Sequence, residues 1–96
     1  MMVTRTAKAG TLESNDIFIM VSPAEAEGVT LELQSIVLAQ FGRQIREVIL
    51  RTVAARGVTQ VSILAQDRGA LDYTIEARVE TALDRALADK DMGVIL

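Results

Sequence analysis

The stretch VTLELQSIVLAQFGRQIREVILRTVAARG, residues 29–57, changes its hydrophobic period partway along, and that change sets the fold class. Val29, Leu31 and Leu33 alternate with Thr30, Glu32 and Gln34, the two-residue repeat of a strand with one buried face. From Val37 the spacing turns helical: Val37, Leu38, Phe41, Ile45, Val48, Ile49 and Thr52 share one face. Arg43, Arg46, Glu47 and Arg51 fall on the opposite arc, with Glu47 and Arg51 spaced to pair along a solvated helix. Ser35 is placed to cap the start of this helix, and Gly57 to stop it. Gly42 costs about 1 kcal/mol against alanine in a helix interior. The stripe nevertheless runs on across it, so one helix of about five turns is expected.

Upstream, Ile17-Phe18-Ile19-Met20-Val21 is an unbroken apolar run, which predicts a strand covered on both faces. Ser22-Pro23 ends it, residues 23–28 form a polar connection, and the strand from Val29 is expected to run antiparallel to it. Thr4 to Ala9 is a modest extended segment ending at Gly10. Downstream, Val58 to Gln66 alternates through Val61 and Ile63, and Asp67-Arg68-Gly69 has the composition of a hairpin turn. Leu71, Tyr73 and Ile75 then alternate with Asp72, Thr74 and Glu76, which predicts a further strand. Near Ala77 the period changes again, and Val79, Ala82, Leu83, Ala86 and Leu87 form a helical stripe. Asp89 to Leu96 is expected to fray, with a small apolar tip at Val94-Ile95-Leu96. This order predicts an α+β fold: one compact domain over residues 1–96, a mostly antiparallel sheet of about four to five strands, and two helices packed on one face.

Composition narrows the chemistry. Half of the 96 residues are hydrophobic but only Phe18, Phe41 and Tyr73 are aromatic, so the core is expected to be aliphatic. There is no cysteine, which fits a reducing, cytoplasmic setting, and no histidine, the side chain best suited to proton transfer near neutrality. A net charge of −3 argues against sequence-independent nucleic-acid binding. Residues 1–10 carry Arg5 and Lys8 without the apolar core of a secretory leader, and no apolar run is long enough to span a membrane. No metal-ligand cluster stands out. These features point away from an autonomous enzyme.

Ser14 lies in the run Gly10-Thr11-Leu12-Glu13-Ser14-Asn15-Asp16, between two extended segments, where a turn would present its hydroxyl to solvent. The other serines have plainer roles: Ser22 precedes proline, Ser35 suits a cap and Ser62 lies within a strand. By local pattern alone, Ser14 is better read as a turn serine bonded to its own backbone. Serine catalysis would need a base, and without histidine only an unusual one such as Lys8 could serve. Glu13 and Asp16, and Asp67 with Asp72, could be read as paired carboxylates of a hydrolase, but they fit solvated turn residues better.

The run Thr6 to Asp16 resembles the N-terminal signature of the citrate lyase acyl carrier protein, or gamma subunit, family. Phe41-Gly42 with Ile45-Arg46 and Val48 is similar to that family's central helix. Asp67 to Asp72 with Ala77-Arg78-Val79 is similar to its C-terminal block. The resemblance implies that Ser14 carries a covalent phosphoribosyl-dephospho-coenzyme A, on which acetyl and citryl groups are held as thioesters. It also implies a non-catalytic carrier serving an alpha subunit (acyl transferase) and a beta subunit (citryl lyase), after loading by a prosthetic-group transferase. Many members read Ser-Ser-Asp where this chain reads Ser14-Asn15-Asp16. The Asp-Ser-Leu signature of helical phosphopantetheine carriers is absent. Two other readings stay open: the carrier subunit of malonate decarboxylase, and a small α+β ligand-binding or regulatory module.

Overall fold

The computed structural model describes residues 1–87. The expected fraying end from Asp89, with its apolar tip, lies outside the described residues. Four strands and two helices follow one another as β1 (Ala7–Ala9), β2 (Ile17–Ser22), β3 (Gly28–Ser35), α1 (Leu38–Ala55), β4 (Gln60–Asp67) and α2 (Asp72–Leu87). The α+β class holds, with both helices on one face of a sheet in which two of the three pairings are antiparallel.

The sheet order is β1-β2-β4-β3. β3 does run opposite to β2, as expected, but it is not its neighbour. β4 lies between them, antiparallel to β2 and parallel to β3. The reason lies in α1: a parallel pair needs a long crossover, and the helix between β3 and β4 provides it. The registers Ile17↔Asp67 and Ser35↔Asp67 bring the start of β2 and the ends of β3 and β4 to one level. Met2 bridges Gln60 at the opposite end of β4.

The core is aliphatic, as composition requires. Ile17, Ile19 and Val21 of β2 and Val61, Ile63 and Ala65 of β4 point to the helix side. There they meet Ile45, Val48, Ile49 and Val53 of α1 and Ile75, Val79, Ala82, Leu83 and Ala86 of α2. The uncovered side of the sheet carries half-buried Phe18, Met20 and Leu64 among polar neighbours. The expectation that Ile17–Val21 is covered on both faces is therefore corrected. No helix among the described residues is long and apolar enough to cross a membrane.

The long helix forms as expected, and Gly57 ends it at φ +72°. Ser35 does not cap it, however. Val37 holds the cap position with no side-chain bond. The Ser35 hydroxyl instead accepts from the Val37 amide (3.1 Å) and donates to the Asp67 carboxylate (2.8 Å). Arg51 pairs with Glu76 of α2 (3.2 Å) instead of with Glu47.

The strand expected over Leu71–Glu76 is the first part of α2, and Asp67-Arg68-Gly69 leads into a helix, not a hairpin. The alternation was one of residue type only. Leu71 and Tyr73 are exposed, while Ile75 is fully buried and extends the stripe of Val79, Ala82, Leu83 and Ala86 by one turn. In a strand, Tyr73 and Ile75 would share a face and be comparably costly to truncate. The helix predicts otherwise: Ile75→Ala should lose roughly 2–5 kcal/mol in urea unfolding, and Tyr73→Ala about 0.5 kcal/mol or less.

Candidate functional site

The loop joining β1 to β2 carries Ser14, and its path is set first by Gly10. This residue has φ +86°, and a Cβ there would sit 1.8 Å from the Ile17 carbonyl oxygen, so only glycine fits. Thr11 then folds the loop back on itself. Its hydroxyl accepts from the Glu13 amide (3.1 Å) and donates to the Asp16 carboxylate (2.7 Å). The Asp16 amide donates to the Glu13 carbonyl (3.2 Å), closing a four-residue turn with Ser14 and Asn15 at its centre.

Asn15 has φ +65°, the only non-glycine with positive φ among the described residues. Asparagine tolerates this region better than most side chains. The departure from Ser-Ser-Asp thus falls where asparagine is locally well suited. The far side of the turn is fastened to the end of β4. The Asn15 amide donates to the Arg68 carbonyl (2.8 Å), and the Arg68 amide donates to the Asp16 carbonyl (2.9 Å).

Asp16 and Asp67 are both buried, which corrects their reading as solvated turn residues. Asp16 takes two parallel bonds from Arg78 of α2, at 3.0 and 2.9 Å, and a further one from the Ile17 amide at 2.7 Å. Chiefly through the hydrogen bond from Arg78, its carboxyl is held down from 3.8 to about 2, despite burial pushing the other way. The same bond pushes Arg78 further up from its ordinary value. Asp67 accepts from the Gly69 amide (3.0 Å) and the Ala70 amide (2.9 Å), shaping the β4–α2 connection beside the Ser14 turn. Glu13 and Asp72 are exposed, and Asp72 accepts from the Gln44 amide group (3.0 Å).

Ser14 itself is exposed, and its hydroxyl makes no hydrogen bond with any described residue. The locally bonded turn serine that the local pattern favoured is not what forms. Lys8 sits in β1 opposite Met20, on the uncovered side of the sheet. Ser22 and Ser62 lie in strands away from the turn, and Ser35, at the end of β3, is bonded to Asp67. The described residues hold no group of three or more acidic, His or Cys side chains arranged for a metal.

Sequence reasoning missed the Asp16–Arg78 bridge and the fastening to Arg68, since both partners are far along the chain. It also missed a surface feature. Leu12, Ile36, Leu38, Phe41, Leu71 and Tyr73 are exposed, and the strand registers place all of them at the Ser14 end. The arrangement leaves an exposed, unbonded serine hydroxyl on a turn whose neighbouring backbone groups are hydrogen-bonded on its far side to the end of β4.

Because the folded pKa of Asp16 lies below its unfolded value, the bridge stabilises the fold above about pH 4. That contribution is lost as pH falls toward 2. Arg78→Ala should cost about 1–3 kcal/mol at neutral pH. It should also flatten the loss of stability between pH 4 and pH 2, as followed by urea unfolding across that range.

A family model with the heading ACP, described as "Malonate decarboxylase delta subunit (MdcD)", matches residues 4–86. The chain is 54% identical over 86 residues to the citrate lyase acyl carrier protein of Halothermothrix orenii, covering 90% of each. It is 50% identical to that of Streptococcus mutans, over 90% of this chain and 84% of the relative. With the protein of the same name from Lacticaseibacillus casei, identity is 51%, over 94% of this chain and 88% of the relative. Among solved structures, homoserine kinase from Cytophaga hutchinsonii aligns with a TM-score of 0.61 at 12% identity, over 94% of this chain and 38% of the kinase. That likeness is one of fold alone. With half its residues shared along nearly its whole length, the chain belongs to the citrate lyase acyl carrier protein family.

Proposed function

We propose that this chain is the acyl carrier of a cytoplasmic citrate lyase, with Ser14 the attachment site of a phosphodiester-linked phosphoribosyl-dephospho-coenzyme A. The observation that carries the proposal is an exposed, unbonded Ser14 hydroxyl on a turn whose neighbours are pinned on both sides. Such a hydroxyl fits the group: a prosthetic-group transferase can reach it, and nothing on this chain has to move for the arm to extend outward. When bound, the arm supplies the thiol that carries acyl groups, in a chain without cysteine.

The protein's own work is mechanical. Gly10, Asp16, Arg68 and Arg78 hold the base of the arm in place, so that an acyl group stays at high effective concentration near successive active sites. Acyl exchange and citryl cleavage fall to the alpha and beta subunits. The exposed apolar side chains around Ser14 suit a surface that such subunits close over.

The description of the matching family model supports a second reading, the carrier of malonate decarboxylase. It uses the same serine, and reconstitution with each set of catalytic subunits separates the two. Wild-type chain loaded by its transferase should restore citrate cleavage to alpha and beta subunits. Ser14→Ala should take up no arm and restore none, while keeping its stability within about 0.5 kcal/mol. Substantial citrate cleavage with Ser14→Ala would refute the proposal.

A further inference from the structure

We propose that Arg68 and the hollow beside it form a resting site on the carrier for the nucleotide portion of its own arm. The guanidinium would meet the phosphodiester at Ser14, and the hollow would take the sugar and base beyond it. This rests on the carrier reading above.

Arg68 is tied to the attachment turn through its backbone, by the bonds from the Asn15 amide (2.8 Å) and to the Asp16 carbonyl (2.9 Å). Its side chain is exposed and makes no ion pair or hydrogen bond among the described residues. Three other arginines are already engaged. Arg78 is held by Asp16, Arg5 donates to the Arg85 carbonyl, and Arg85 donates to the Lys8 carbonyl. Arg78 neutralises Asp16, which leaves exposed Glu13 as the free acidic group on the turn. A phosphodiester added at Ser14 brings a further negative charge beside Glu13. Lys8 and Arg68 are both uncommitted cations among the described residues, and Arg68 is the one fastened to the turn through its backbone. Guanidinium groups bind phosphate oxygens with paired, charge-assisted hydrogen bonds.

The hollow has a volume of about 330 Å3 and is lined by Leu12, Gln34, Ser35, Ile36, Gln66, Asp67 and Arg68, with the Asp67 carboxylate already accepting hydrogen bonds from the Ser35 hydroxyl and the Gly69 and Ala70 amides. Leu12 and Ile36 give it an apolar wall. Gln34 and Gln66, joined by a 3.1 Å hydrogen bond, place amide groups nearby. A flat heteroaromatic ring with hydrogen-bonding edges suits that mixture, and the volume is at the small end of ligand sites. A second groove of about 370 Å3 lies between the starts of α1 and α2, but it is lined by Phe41, Leu71 and Asp72 and has no cation. Each hollow has one carboxylate in its lining, Asp72 in the groove and Asp67 here, so the exposed guanidinium of Arg68 is what distinguishes this one as a phosphate site.

The test compares isotope-labelled protein before and after loading by the transferase, with intact mass verifying each sample. Loading should shift the Arg68 Nε–Hε resonance and the side-chain amides of Gln34 and Gln66. In loaded Arg68→Gln the shifts at Gln34 and Gln66 should be lost, while loaded Arg46→Gln, altered at an exposed arginine of α1, should keep them. Correct mass with shifts confined to residues 13–15 would overturn the resting site and leave Ser14 attachment standing. Failure of the wild-type chain to gain mass would overturn the carrier reading, and this inference with it.

Discussion

A single carboxylate organises the loop that carries Ser14. Asp16 accepts two bonds from Arg78, one from the Thr11 hydroxyl and one from the Ile17 amide, which uses the full accepting capacity of the group. Thr11 opens the loop, Ile17 begins β2 and Arg78 belongs to α2, so one side chain ties three separate parts of the chain together. The bridge is also costly to disturb. Asp16 is largely buried, and removing Arg78 would leave its charge without a partner. The ion pairs between the helices are a different matter. Arg51–Glu76 and Arg56 with Glu80 and Asp84 are solvent-exposed, and pairs of that kind contribute at most about 1 kcal/mol.

The fold holds the Ser14 turn as a fixed base and leaves its outer side open. The aliphatic core lies between the sheet and both helices. The loop bearing Ser14 is anchored to that core through β4 and α2, and its exposed side is left open. A carrier benefits from this arrangement because orienting the tether requires no rearrangement of the protein at each transfer. Apolar side chains exposed at the same end add a surface that water covers poorly. The other end of the sheet is closed by the N-terminus, where Met1 donates to the Gly57 carbonyl (3.0 Å).

Much of this was legible in local pattern. The helix over Leu38–Ala55 was visible because its apolar stripe is long enough to outweigh Gly42. β3 and β4 were visible through their alternation, and β2 through its unbroken apolar run. The segment from Leu71 to Glu76 misled because Leu71 and Tyr73 are apolar in type yet exposed, and so imitate a two-residue period. Sheet order was hidden because a parallel neighbour is chosen by where the crossover helix packs, which local sequence does not encode. Ser14 stood out through its surrounding glycine, threonine and aspartate. The roles of Asp16 and Asp67 did not, since Arg78 lies 62 residues from Asp16 and Ser35 lies 32 residues from Asp67. Isolated in sequence, both look like ordinary solvated turn acids.

The central claim is that Ser14 bears the reactive group and performs no chemistry itself. Intact mass spectrometry of the chain isolated from its native host, with fragmentation of the peptide containing residues 11–16, tests it most directly. The account predicts an added mass equal to phosphoribosyl-dephospho-coenzyme A in phosphodiester linkage, localised to Ser14. An unmodified Ser14 in protein taken from an active citrate lyase complex, or the group found on another residue, would contradict it.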